Sequence, residues 1–357
     1  MYQVLTGKAL VTEILYSRPG LTRVRLDING EQARAINFDR LTGKIDIGHR
    51  VVINRTAVAL ELGTGGYHFV QYNLDNSFDA EQALQPGHII KLRYTPAQLK
   101  TLCVEEEYSP YHHLVKDYEE LEGLPVLIIP LHSLLAPVTI ACKYHCPQKN
   151  IVYIMTEGGG LPLDFSDSAF RLQNRGLLDS TITAGHSFGG ELEAVNFFSG
   201  LIAARQVLGA DIVIAGMGPG IVGTGTDLGY SGADNAFLAY AVKTLKGRPI
   251  IIPRLGFADE RPRHQCISHH TITLLERLIT DRAEVVFPAE RRVLNRLLET
   301  AIPEKHDCFY YPYADSLKIL KQSQYPFYSM GRDLETAPFL FVTGALAGLR
   351  VKEIFEE

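Results

Sequence analysis

The chain of 357 residues has no tryptophan, only four methionines and only five cysteines. Thiols so few and odd in number do not build a disulfide framework and suit a reducing compartment. One pair, Cys142 and Cys146 with His145 between them, could place two sulfurs on one helical face. Structural zinc needs four ligands and no second pair lies near, so these read as plain reduced cysteines. Excess charge of one sign is also missing, because 35 Lys and Arg stand against 40 Asp and Glu, a formal charge of −5. No overall basic field points to nucleic acid or to an anionic membrane as a partner. An unbroken apolar run of about 20 residues, the requirement for a spanning helix, is lacking. Leu124 to Cys142 comes nearest, but Pro125, Pro130, Pro137 and His132 interrupt it, so it reads as strand, turn and core helix. The segment that opens at Met1 and Tyr2 lacks the charged and then apolar order of a signal peptide, and the expected location is the cytoplasm. No G-x-x-x-x-G-K-S/T run occurs, which excludes a standard P-loop.

What the chain does have is apolar mass, 46% of its residues, enough for a full core and about two domains at roughly 150 residues each. The first part alternates polar and apolar residues in Thr22-Arg-Val-Arg-Leu-Asp-Ile. Short β-branched or aromatic runs follow at Arg50 to Asn54, Ala57 to Leu62 and Tyr67 to Tyr72. Residues 1–95 therefore read as a small β-barrel-like domain, since closure removes free sheet edges. Residues 96–124, with the acidic stretch from Glu105 to Glu119 and Glu120, read as a connector with a helix. From Pro125 the texture changes to short apolar runs alternating with longer helical ones. The candidate strands are Val126–Ile129, Ile151–Met155, Thr181–Ala184, Asp211–Ala215, Pro249–Ile252 and Glu284–Phe287. This pattern predicts, for residues 125–357, a Rossmann-like α/β domain with a parallel sheet and helices on both faces. Glu191 to Leu208 is expected to be one helix whose acidic first turn, Glu191 and Glu193, suits the helix dipole. Ala337 to Leu349 is expected to be a core helix.

Three glycine-rich segments follow candidate strands: Glu157-Gly-Gly-Gly, Gly185-His-Ser-Phe-Gly-Gly, and Gly216 through Thr226. Loops at the carboxyl ends of parallel strands form the ligand crevice, and glycine lets backbone N–H groups approach a ligand. Gly218-Pro-Gly-Ile-Val-Gly223 satisfies the dinucleotide pattern G-x-G-x-x-G, but no helix opens directly behind it and no nucleotide cofactor is assigned. Gly185-His-Ser-Phe-Gly189 matches the nucleophile elbow of serine hydrolases, and chain order permits an alternative triad of Ser187, Asp259 and His306. The densest polar cluster runs from Arg254 to His270, with Arg forks suited to phosphate or carboxylate and histidines suited to proton transfer. Ser268 is the expected cap of a helix beginning near His269. His264, His269 and His270 lack the i, i+4 spacing of helical metal ligands, so a metal would need other loops, such as Glu157 or His132, and no metal ligand set is assigned.

Together Leu131-His-Ser, Met155 to Pro162, Gly189 to Asn196, Gly218 to Thr226, Arg261-Pro-Arg-His, Ser268-His-His-Thr and Met330-Gly-Arg resemble an uncharacterised bacterial family of about this length, known as a domain of unknown function. The resemblance implies no activity. The residues themselves suggest an enzyme acting on a small anionic or phosphorylated metabolite. Its candidate catalytic groups are His264, His269, His270, His132 and Glu157. Its ligand contacts would come from Gly158, Gly218, Gly220, Gly223, Thr224, Gly225, Arg261, Arg263 and Arg332. The cofactor stays unspecified, a second copy of the chain stays open as a partner, and a non-enzymatic ligand sensor or scaffold is the remaining alternative.

Overall fold

A computed structural model describes residues 3–63, 65–76, 86–118 and 120–357. Met1, Tyr2 and Glu119, used in the sequence reading, lie outside the described residues, as does part of the span 1–95. The chain forms two compact units, one of residues 1–86 with 92–99 and one of residues 87–91 with 100–357.

The first unit is a closed barrel of five strands, Thr6–Arg18, Leu21–Ile28, Glu31–Phe38, Arg50–Asn54 and His68–Asn73. Its long first strand pairs with both Leu21–Ile28 and Arg50–Asn54, and bulges near Val11 and Ile14 give it the bend that closure needs. Parallel pairing of Ala35 and Ile36 with His68 and Phe69 completes the ring. Alternation decides which side chains point inward: Val24, Leu26 and Ile28 are buried while Arg23, Arg25 and Asp27 are not. Ala57 to Leu62, expected as a strand, is instead a single helical turn, Thr56–Ala59. Asn54 Oδ1 accepts from the Thr56 amide at 3.0 Å and starts the turn, and Leu60 and Leu62 stay exposed.

The second unit holds an eight-stranded parallel sheet. Across it the strands run in the order Leu192–Ala194, Ser180–Ala184, Ile151–Thr156, Ile212–Met217, Pro125–Ile128, Arg248–Ile251, Glu284–Pro288 and Asp307–Tyr311. The six expected strands recur to within two residues. They are mostly apolar because both faces are covered, Ser180–Ala184 with its threonines and the ends at Arg248 and Glu284 excepted. Leu127, Tyr153, Ile214, Ile250 and Val286 face a core shared with helices Leu135–His145 and Pro338–Glu356. Val126, Val152, Val213, Ile251 and Val285 face the opposite core, with helices Phe197–Gln206 and Asn235–Thr244. Among the described residues no helix is long and apolar enough to cross a membrane. All five cysteines are free thiols.

The expected helix from Glu191 to Leu208 divides in two. Leu192–Ala194 is an edge strand, and the helix begins only at Phe197, where Asn196 Oδ1 caps the Ser199 amide. Glu193 is therefore no first-turn acid. Its carboxylate accepts from Lys91 Nζ at 2.5 Å and from Thr183 Oγ1 at 2.6 Å, and Lys91 is fully buried. In the acidic stretch the helix is a single turn, His112–Val115.

The connection after Pro125–Ile128 leaves toward one face, whereas those after its two neighbours, Ile212–Met217 and Arg248–Ile251, leave toward the other. Strands whose connections diverge in this way open a crevice beyond their carboxyl ends.

Candidate functional site

Three loops meet above the carboxyl end of Pro125–Ile128. A pocket of about 360 Å³, its open mouth included, is lined there by Pro130 and Leu131, by Ile221 and Tyr230, and by Arg254 and His270. Each pair follows one of the three central strands. Another cavity, between Ala236–Lys243 and Leu278–Ala283, has neither histidine nor arginine in its wall.

The glycine-rich loop turns back on itself. Gly223 bridges Tyr230, and the Thr224 amide donates to the Gly229 carbonyl at 2.9 Å. Thr224 and Thr226 share a hydroxyl contact of 3.0 Å inside this turn. A Cβ on Gly223 would lie 2.9 Å from His270 Cε1, and one on Gly225 would lie 3.7 Å from the Arg263 guanidinium carbon. The loop is thus laid directly against the Arg/His segment. Gly220 and Gly225 have φ of +111° and +87°, which favour glycine. Gly158 and Gly218 have another explanation: a side chain there would strike Met217 and Met155. Close packing accounts for glycine at these two positions.

The Arg/His segment is braced by a short antiparallel pair, Leu255–Gly256 with Cys266–Ile267, and by a 3-10 turn, Pro262–His264. Asp259, buried, is its hub. It accepts from Arg261 Nε at 2.8 Å, from Arg254 at 3.2 Å and from Arg332 at 3.3 Å. The Arg261 fork above all, helped by Arg332, holds the Asp259 carboxyl well below the usual carboxylate range despite burial. Burial moves Arg254 the other way, down to about 10 although Asp259 opposes the shift, so it remains charged at neutral pH. Arg332 enters from the tight turn at Met330 and Gly331, and that turn is also tied to the loop after Pro125–Ile128 by Ser329 and Ser133, 2.8 Å apart. Arg261, expected to clamp a ligand, is therefore committed to Asp259. Arg263 is exposed, and no hydrogen bond or ion pair joins it to another described residue.

His264, His269 and His270 converge, with ring centroids 5.1, 5.2 and 4.1 Å apart. Ser268 occupies the cap position of the helix His269–Thr273, yet its hydroxyl makes no cap and bonds His264 Nδ1 at 2.8 Å. Tyr230 stacks on His270 at 4.1 Å and donates its hydroxyl to the His270 carbonyl. Asp227 Oδ1 lies 3.9 Å from His269 Nδ1. Burial first, then the arginine charges, lower all three imidazoles: His264 falls to about 3, and for His270, at about 4, His269 acts alongside the arginines. They are neutral at physiological pH. Nothing in the sequence ties Tyr230 and Asp227 to the histidines; a lone aromatic in a glycine-rich run was the available signal.

The other expected residues do not join this group. His132 is held by Tyr153 and Ser166 at 3.2 and 2.8 Å, and burial lowers it to about 4. Glu157 accepts from the His186 amide at 3.0 Å and fixes the neighbouring turn. The hydrolase triad does not assemble. Ser187, buried, donates to the Thr156 carbonyl at 2.9 Å, and its turn leads into an edge strand where a nucleophile elbow requires a helix. Asp259 is occupied by arginines. His306 precedes the amino end of its strand and is bonded to the Ala283 amide and the Leu275 carbonyl.

These features define a two-unit α/β protein with a barrel and a parallel sheet of helix-covered faces, its polar loops gathered at the carboxyl edge. The chain belongs to the family described as "Protein of unknown function (DUF3866)", whose model matches residues 34–348. No curated protein matches the sequence.

Proposed function

We propose that the protein is an enzyme acting on a small anionic metabolite, a phosphorylated one by preference, bound above the carboxyl end of Pro125–Ile128. The observation that carries this reading is Arg263, an exposed guanidinium without a partner among the described residues, set against Gly225 and beside the histidine group. Arginine forks match phosphate oxygens bidentately, and glycine backbone approaches them closely. Asp259 offsets only part of the charge of Arg254, Arg261 and Arg332, so the crevice carries a positive field that attracts anions. Gly220, Gly223 and Gly225 supply the backbone, and the rings of His264, His269 and His270, uncharged at neutral pH, supply polar nitrogens beside the ligand.

Calorimetric titration with orthophosphate, sugar phosphates and nucleotides tests the reading. At least one phosphorylated probe should bind the wild type, and Arg263→Ala should weaken it by about tenfold or more, the worth of a charge-assisted bond. Binding unchanged by Arg263→Ala contradicts it. Binding without turnover of any bound compound would identify a sensor in place of an enzyme.

A further inference from the structure

The three histidines have a property that proton transfer does not require. Nε2 of His269 and Nε2 of His270 are buried without a hydrogen-bond partner. Orphaned polar atoms are costly, so two side by side ask for a shared partner. His264, itself buried, spends Nδ1 on Ser268 and so keeps Nε2 free of that bond. One ligand nitrogen from each ring lies within 4.8 Å of the other two. We propose that His264, His269 and His270 form a binding site for one divalent transition-metal ion, with an open position for water or for an anionic oxygen of the ligand.

Three imidazole nitrogens suit zinc, cobalt, nickel or ferrous iron and not magnesium or calcium, which prefer oxygen. A tetrahedral ion with bonds of about 2.0–2.1 Å spaces its nitrogens by roughly 3.4 Å, so the rings must draw together by about an ångström. The surroundings match what such ligands require. Ser268 Oγ is bonded to Nδ1 of His264 and would accept its proton when Nε2 ligates, Asp227 stands on the far nitrogen of His269, and Tyr230 stacks on the ring of His270. The arginines oppose a bare cation but favour an anion on its open position, and Asp259 screens part of their charge. Sequence spacing concealed the group because the ligands come from a 3-10 turn and the start of the following helix, not from one helical face.

The inference shares the crevice of the proposed function, and its test separates the two. Protein made without a histidine tag and stripped by chelator should take up about one Co2+ per chain with the ligand-field absorption of a low-coordinate site. His264→Ala and His270→Ala should each weaken uptake by about 100-fold or more, the upper end of what loss of an outer-shell partner alone costs. Because those variants are exposed to misfolding, zinc-edge X-ray absorption on the wild type is the second measurement, with an imidazole shell near 2.0–2.1 Å expected. Absence of stoichiometric Co2+ uptake by folded wild type, uptake intact in both variants, or a shell without imidazole overturns the site. Arg263→Ala should retain Co2+ uptake while losing the phosphorylated probe. Metal uptake with no anion binding would sink the anion reading alone, and the reverse would sink the metal site alone.

Discussion

Asp259 sets the charge of the crevice. By binding Arg254, Arg261 and Arg332 together it offsets part of the repulsion among four guanidiniums, and of the two exposed ones, Arg261 and Arg263, it engages only Arg261. Single residues also explain why parts of the sequence reading fail. Ser187 sits in a faultless short motif, but its hydroxyl is spent on the Thr156 carbonyl. A fluorophosphonate probe should leave Ser187 of the native protein unlabelled by mass spectrometry; stoichiometric labelling would restore the hydrolase alternative. His132 yields a pH prediction. Its folded value, about 4, is depressed from 6.5 by burial, so its contribution to stability is intact above pH 6.5 and is lost as pH falls from 6.5 toward 4. The loss amounts to about 3 kcal/mol by linkage. Urea unfolding of wild type and His132→Gln across that window should show a steeper decline in the wild type. Parallel curves would assign the acid sensitivity elsewhere.

Among the elements, the parallel strands are legible because burial on both faces leaves most of them predominantly apolar, and Pro and Gly punctuate their ends. The edge strand Leu192–Ala194 is not. Its acidic Glu193 is stabilised there by Lys91, about 100 positions earlier, and no local pattern encodes such a partner. The glycine loops were found, but the reasons for individual glycines were not, since Gly158 and Gly218 answer to methionines on neighbouring strands. Helix packing gives the sharpest test at this scale. A Cβ on Gly348 would fall 2.6 Å from the backbone of Ala141, where helix Pro338–Glu356 crosses helix Leu135–His145, while one on Gly256 meets nothing within 4 Å. Gly348→Ala should cost about 1–3 kcal/mol or more in chemical denaturation, as overpacking does. Gly256→Ala should stay within about 0.5 kcal/mol. Equal effects would mean that the two helices can separate without penalty.

For the whole molecule, the decisive fact is where connections diverge. The strand Pro125–Ile128, first of the sheet in sequence, lies between two strands whose helices cover the opposite face, and the glycine loop, the Asp259 hub and the three histidines all gather beyond its carboxyl end. The strand pattern made the edge of the sheet readable from sequence. It does not show which loops meet there, because strand order is a long-range property, and Glu157 and His132, at the ends of two of these strands, bond the His186 amide and Tyr153 and not the three histidines. Whether an anion binds in this crevice can be read from amide NMR spectra of deuterated wild-type protein titrated with a phosphorylated probe. The amides of Gly220, Gly223 and Gly225 should move first and saturate together, and Arg263→Ala should abolish their response. Saturable shifts confined to residues outside the glycine loop and the Arg254–His270 segment would contradict anion binding there.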